Sequence, residues 1–202
     1  MTRISLLRAA DYRRTRWKND GGWTTEIARK PAHDEHAAAR DFDWRVSIAE
    51  IERDGPFSSF PGVTRDLLLL SGNGIELDID RAPPLRLTER FQRAHFEGEA
   101  AVDCRLLAGP TRDFNVMTRR AAVRAEVMAR PLVGSMVLFA EAGVSWLLHA
   151  YSGSAAARSG DVAETFASGD TLRIDFATRD EARVVVEGSG EIVLVKFLAA
   201  TD

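Results

Sequence analysis

The sequence predicts an all-β protein, a sandwich or jelly-roll barrel. Three observations carry this expectation: apolar and polar residues alternate with a period of two in segment after segment, Gly, Pro and Asp turns punctuate the segments at short intervals, and sustained helical periodicity is hard to find. In chain order, "RAADYRRT" reads as a short helical turn near the start, followed by the dense stretch "WKNDGGWTTEIA" (17–28). A strand through that stretch puts Thr25 and Ile27 on one face and Thr24 and Glu26 on the other. Residues 31–41, "PAHDEHAAARD", are the best helix candidate, or equally a loop with one helical turn. "FDWRVSIAEIE" alternates Phe42, Trp44, Val46 and Ile48 against Asp43, Arg45 and Ser47, and "GPFSSFPGVTRD" is too punctuated for regular structure. "RDLLLLSGNGIELDID" reads as strand, Gly-rich turn, strand. "AAVDCRLLAG" and "RDFNVMTRR" are strands, and "VGSMVLFAEAG", "SWLLHAYSG", "DTLRIDF", "ARVVVEG" and "GEIVLVKFLA" complete the set. A faint internal echo joins the apolar-strand-then-Ser-Gly patterns at Ser71 and Ser152, as in two related jelly rolls. The expected division is 1–120 and 121–202.

The chain's 202 residues are enough for one large domain or two small ones sharing a core. Lys plus Arg number 27 against 30 Asp plus Glu, with no basic block, so no nucleic-acid footprint is expected. A single cysteine, Cys104, excludes an intramolecular disulfide. No leader-like segment begins the chain and no run of eighteen apolar residues occurs, so no membrane span is expected and the cytoplasm is the expected compartment.

Several motifs carry both a chemical and a purely structural reading. The Gly21-Gly22 pair permits close backbone approach, either for a ligand loop or for a bulge at a sheet edge with tryptophan anchors. Arg65 opens an apolar strand: a surface guanidinium is the ordinary case, and one reaching inward is the alternative. In "RDFNVMTRR", Asp113, Asn115 and Met117 share one face, and a carboxylate there requires a partner if the face is dry. Arg45 and Arg65 are the natural partners, in a structural pair or in the wall of a polar pocket inside a barrel. Cys104, in phase with Val102 and Leu106, reads as a small buried hydrophobe rather than a catalytic thiol. Of four histidines, His33 and His36 flank Asp34 and Glu35, a pattern that seldom holds a metal in a polar loop, so no metal site is expected. Phosphate-binding glycine loops, nucleophile elbows and dinucleotide fingerprints are absent, and no cofactor is expected.

Three blocks in order, "WKNDGGWTTEIA", "FDWRVSIAEIERDGPFSSFPGVTRDLLLLSGNGIEL" and "FEGEAAVDCRLLAGPTRDFNVMTRR", resemble the successive signatures of the HutD/Ves family. The C-terminal third, from about Ala121, matches it only in general character. The resemblance implies the cupin architecture, with two jelly-roll halves in one chain, an association with histidine utilisation, and a small-molecule pocket lined by the signature residues. It implies no established reaction. Asp20 stands where the family commonly has Gly, at a position where Asp tolerates positive φ, and it puts a carboxylate beside the pocket.

Combined with this resemblance, the residues suggest a binding protein for a small carboxylate-bearing metabolite: urocanate, formiminoglutamate, formylglutamate or formate. Arg45 and Arg65 hold the carboxylate, with Lys18 as a further cation. Asn19, Thr24, Ser47 and Asn115 supply neutral hydrogen bonds, and Glu26 and Asp113 orient the arginines or accept from a ligand N–H. Trp17, Phe60 and Met117 exclude water. A second reading is a metal-independent enzyme acting on a small amide-like metabolite, with Glu26 and Asp113 as acid and base. A third is a protein whose sheet edges make protein contacts, a homodimer included.

Overall fold

A computed structural model describes residues 2–32, 42–176 and 183–200. Sixteen strands account for nearly all regular structure among these residues. They are β1 (Arg3–Leu7), β2 (Arg13–Arg16), β3 (Gly22–Pro31), β4 (Phe42–Ile51), β5 (Gly55–Pro56), β6 (Val63–Ser71), β7 (Ile75–Ile79) and β8 (Leu85–Leu87). There follow β9 (Arg93–Glu97), β10 (Val102–Leu106), β11 (Thr111–Arg119), β12 (Val123–Leu138), β13 (Ser145–Ser159), β14 (Val162–Ala167), β15 (Thr171–Asp175) and β16 (Val184–Ala199). A single 3₁₀ turn, Ala9–Asp11, falls where "RAADYRRT" suggested one. The helix candidate at 31–41 lies outside the described residues beyond Ala32, and Pro31 closes β3. No helix among the described residues is long and apolar enough to cross a membrane.

The chain separates into two compact units, residues 13–123 and residues 1–12 together with 124–202. The expected division at 120/121 is therefore corrected at the N-terminus. β1 pairs antiparallel with β15, Ile4 opposite Ile174 and Leu6 opposite Leu172, so hydrogen bonding carries the first strand into the unit formed mainly by the last third. Chain order alone could not reveal that long-range pairing.

In the 13–123 unit one sheet runs β2-β3-β4-β11-β6-β9 and a smaller one β5-β10-β7-β8. Side chains from both meet in one core of Ile51, Leu67, Leu69, Ile75, Leu77, Leu87, Phe96, Val102 and Cys104. The strict alternation of β10 places Val102 and Cys104 inward and leaves Asp103 and Arg105 exposed. Cys104 is thus a buried packing residue, and burial raises its thiol pKa to about 12.

The other unit is one sheet, β1-β15-β13-β16-β12, with β14 added to β13. Its core includes Leu132, Leu148, Ala157, Phe166, Leu172, Ile174, Val186 and Leu194. β13 and β16 pair along their length, and their register shifts between Ala150 and Ser152. Gly153 and Gly190 face each other there; a methyl on either would lie 1.9–2.0 Å from the backbone oxygen of Ser189 or Ser152, so only glycine allows this approach.

Candidate functional site

The register of the larger sheet in the 13–123 unit builds the site. Across β3, β4, β11 and β6, one row aligns Glu26, Ser47, Asn115 and Leu67. A second aligns Thr24, Ala49, Asp113 and Leu69, and a third places Arg45, Met117 and Arg65 side by side. The period of two sends these residues to a common face, on which Thr24, Arg45, Ser47, Ala49, Arg65, Asp113, Asn115 and Met117 wall a cavity of about 560 Å³, a size suited to a small metabolite.

The turn joining β2 to β3 closes one side. Trp17 N–H donates to the Gly22 carbonyl (3.0 Å), and Asn19 Oδ1 accepts from Gly21 N–H (3.1 Å). Gly22 has no room for a side chain, since a Cβ would lie 2.1 Å from the Glu50 carbonyl oxygen. Trp17 Nε1–H donates to Thr24 Oγ1 (2.8 Å), fixing the indole against the cavity. The stretch "WKNDGGWTTEIA" is therefore a tight strand connection that also walls the cavity. Trp23 is not part of that wall; Arg14 and Arg16 lie over its ring, 4.3 and 4.9 Å from the centroid.

Asp20 has φ of 56°, the conformation that Asp accepts more readily than most residues. Its side chain is 71% exposed and accepts from Arg16 (Nε–Oδ1 3.3 Å), and it does not line the cavity. The carboxylate of Asp20 is thus held outside the cavity.

Eleven of the twelve residues anticipated from sequence line the cavity: Trp17, Lys18, Asn19, Thr24, Arg45, Ser47, Phe60, Arg65, Asp113, Asn115 and Met117. Glu26 does not. Its Oε2 lies 2.8 Å from Arg45 Nε, so it holds that arginine from the side. Arg16, Ala49, Ile51, Pro56, Phe57 and Ser58 complete the lining. Ala49 and Ile51 continue the alternation of Arg45 and Ser47 and were legible from it. Pro56, Phe57 and Ser58 belong to the punctuated loop that supplies Phe60, whose path has no periodicity to read.

Arg65 is the inward guanidinium, not a surface one. It is 8% exposed and ringed by Phe57, Phe96 and Phe60, whose centroids lie 5.0, 5.1 and 5.8 Å from its carbon. Burial lowers its pKa to about 10, which leaves it cationic at neutral pH. Its Nη2 donates to Asn115 Oδ1 (3.1 Å), and its Nε has no hydrogen-bond partner among the described residues. Asn115 in turn donates from Nδ2 to Asp113 Oδ1. Asp113 is therefore connected to Arg65 through an amide, not by the direct ion pair its neighbours suggested, and Arg45 is engaged by Glu26. Complete burial raises the Asp113 pKa to about 7, against the opposing pull of Arg65 and Asn115, and its Oδ2 has no hydrogen-bond partner among the described residues.

Elsewhere, His95 Nδ1 lies 2.7 Å from Asp66 Oδ1, and His149 Nδ1 lies 3.0 Å from Thr171 Oγ1, an oxygen that also accepts from Tyr12 (2.8 Å). His33 and His36 lie outside the described residues. Among the described residues no three His, Cys, Asp or Glu gather as metal ligands would.

An all-β chain of the cupin class, with a buried arginine in a polar-floored, phenyl-walled cavity, is the kind of protein that fold and site define. Bacterial pirin YhhW from Escherichia coli, in complex with nickel(II), shares the fold alone, with a TM-score of 0.68 and 10% identity over 98% of this chain and all of that one. The HutD family model matches residues 9–194, and the chain belongs to that family. It is 34% identical over 199 residues, 98% of this chain and 100% of the other, to an uncharacterised 21.2 kDa protein in the hutC 3' region of Pseudomonas putida. The structure of HutD from Pseudomonas fluorescens SBW25 (formate condition) superposes with a TM-score of 0.81 and 30% identity, covering 98% of this chain and 99% of that one. Protein Ves of Citrobacter koseri is 41% identical over 112 residues, 55% of this chain and 56% of its own length.

Proposed function

We propose that this HutD-family protein is a cytoplasmic sensor or regulator of histidine utilisation that works by binding a small carboxylate-bearing metabolite in the 13–123 unit. The observation that carries the reading is Arg65: a buried cation with no direct ion-pair partner among the described residues, facing a cavity of about 560 Å³. A desolvated guanidinium without an anion is costly, and a carboxylate is the group that its fork matches. Lys18 and Arg45 add positive charge to the walls, while Ser47, Thr24 and Asn19 offer neutral hydrogen bonds. Support for the pathway comes from relatives, the P. putida protein in the hutC 3' region and the P. fluorescens HutD structure from a formate condition. The alternative acid–base pair of Glu26 and Asp113 draws no support from the geometry, because Glu26 is bound to Arg45 away from the lining.

The test is thermal melting with urocanate, formiminoglutamate, formylglutamate and formate. A ligand at about 100 times its Kd adds about 2.7 kcal/mol, a shift of several degrees for a chain of this size. Arg65→Met keeps an apolar side chain among the phenyl rings and removes the charge; it is expected to abolish the shift. A shift that survives Arg65→Met, or no shift with any of the four, counts against the reading.

A further inference from the structure

We propose that Asp113 enters the complex as the neutral acid: its Oδ2 donates a hydrogen bond to the ligand's carboxylate beside the Arg65 guanidinium, so that each carboxylate is bound together with one proton from solvent. This rests on the carboxylate-binding reading above and specifies how the floor of the cavity recognises the anion.

The geometry poses the question directly. Asp113 has no solvent exposure, lines the cavity, and keeps one oxygen without a hydrogen-bond partner among the described residues. Its other oxygen accepts from the Asn115 amide, whose own oxygen accepts from Arg65. The amide bridge keeps the guanidinium from neutralising Asp113 directly. An anion arriving at Arg65 therefore comes up beside Asp113, and two carboxylates in one desolvated site cannot both ionise without a large penalty. A proton on Oδ2 removes the repulsion and turns the unpartnered acceptor into a donor.

An ionised Asp113 accepting from a neutral ligand's N–H is the competing arrangement, and the surrounding charge disfavours it. The groups facing this region are Arg65 from β6, Arg45 from β4, the Cys104 thiol from β10, and Arg16 and Lys18 at the turn; Asp54, which acts on that thiol electrostatically, accepts from Leu106 N–H (2.8 Å). The nearby acids are engaged: Glu26 by Arg45, and Glu52 and Asp20 by Arg16. Lys18 has no ion-pair partner among the described residues. The lining thus carries a cationic surplus that selects an anion, and the acid must yield its charge to admit one. The ligand-free pKa of about 7 places that proton uptake in the neutral range.

The experiment is calorimetric titration of the full chain with formylglutamate, whose carboxylates stay ionised from pH 6 to 9, in two buffers of different ionisation enthalpy. Urocanate, formiminoglutamate and formate serve as parallel probes. The expected result is uptake of close to one proton per ligand at pH 8.5, with Kd weakening roughly tenfold per pH unit above about 7. Asp113→Asn imitates the neutral acid, its oxygen accepting from Asn115 and its amide N–H₂ replacing the acid's donor. It is expected to take up no proton, to lose the pH dependence and to bind more tightly than the wild type at pH 8.5. Binding without proton uptake at any pH overturns the inference and leaves the carboxylate-binding reading standing. So does an Asp113→Asn variant that shows a cooperative melt but no binding at any pH, because it identifies the ionised carboxylate as an acceptor. Absence of binding by all four carboxylates removes the carboxylate-binding reading and this inference with it.

Discussion

Asp113 makes a prediction about stability that needs no ligand. Its carboxyl is fully buried and its pKa is raised from 3.8 to about 7. An acid that is easier to protonate in the folded chain binds more protons there than in the unfolded chain. Its contribution to stability is fully present below the unfolded pKa and falls as pH rises through the folded one. At about 1.4 kcal/mol per pKa unit, the whole loss is about 4 kcal/mol between pH ~4 and pH ~7, with no further change above. Asp113→Asn removes the titrating group and keeps an oxygen to accept from Asn115. The stability of the wild type minus that of the variant, from urea denaturation at half-unit steps from pH 4.5 to 8.5, is therefore expected to fall by about 1.4 kcal/mol per unit and level off near pH 7. Groups common to both proteins cancel in the difference. A flat difference across that range, or one that rises with pH, refutes the reasoning: it means that Arg65, acting through Asn115, holds the acid ionised despite its burial.

The other predictions are smaller. Gly22→Ala places a methyl 2.1 Å from the Glu50 carbonyl oxygen, where only backbone movement can relieve the clash, so a loss of about 1–3 kcal/mol of unfolding free energy is expected, read as a lower urea midpoint; an unchanged midpoint contradicts the close approach. Cys104 is 1% exposed with its thiol pKa raised to about 12, so an aromatic disulfide reagent at pH 8 is expected to react only at the rate of unfolding; immediate modification of the native chain disproves that burial. Glu26→Gln removes the carboxylate that holds Arg45 at 2.8 Å, and is expected to tighten binding of whichever carboxylate shifts the melt, with no turnover of it in either protein. Weaker binding would show that Glu26 positions Arg45 and does not merely offset its charge.

Much of the site was legible because strand periodicity is a local property. Once "FDWRVSIAEIE" and "RDFNVMTRR" read as strands, Arg45 and Ser47 had to share a face, and so did Asp113, Asn115 and Met117. The sequence by itself determined the all-β class, the inward placement of Cys104 and the tolerance of Asp20 for positive φ, each a matter of pattern local to one stretch of chain at a time. Only the tertiary structure decided which strands lie together. The antiparallel register of β4, β11 and β6 sets Arg45, Met117 and Arg65 in one row, and that row turns a commonly exposed arginine into a buried one among three phenyl rings. The same sheet interposes Asn115 between Arg65 and Asp113 and diverts Glu26 to Arg45, while a separate pairing joins the first strand to β15 in the other unit. Each of these depends on hydrogen bonding between segments far apart in the chain, where the alternation within any one strand is silent about its partner.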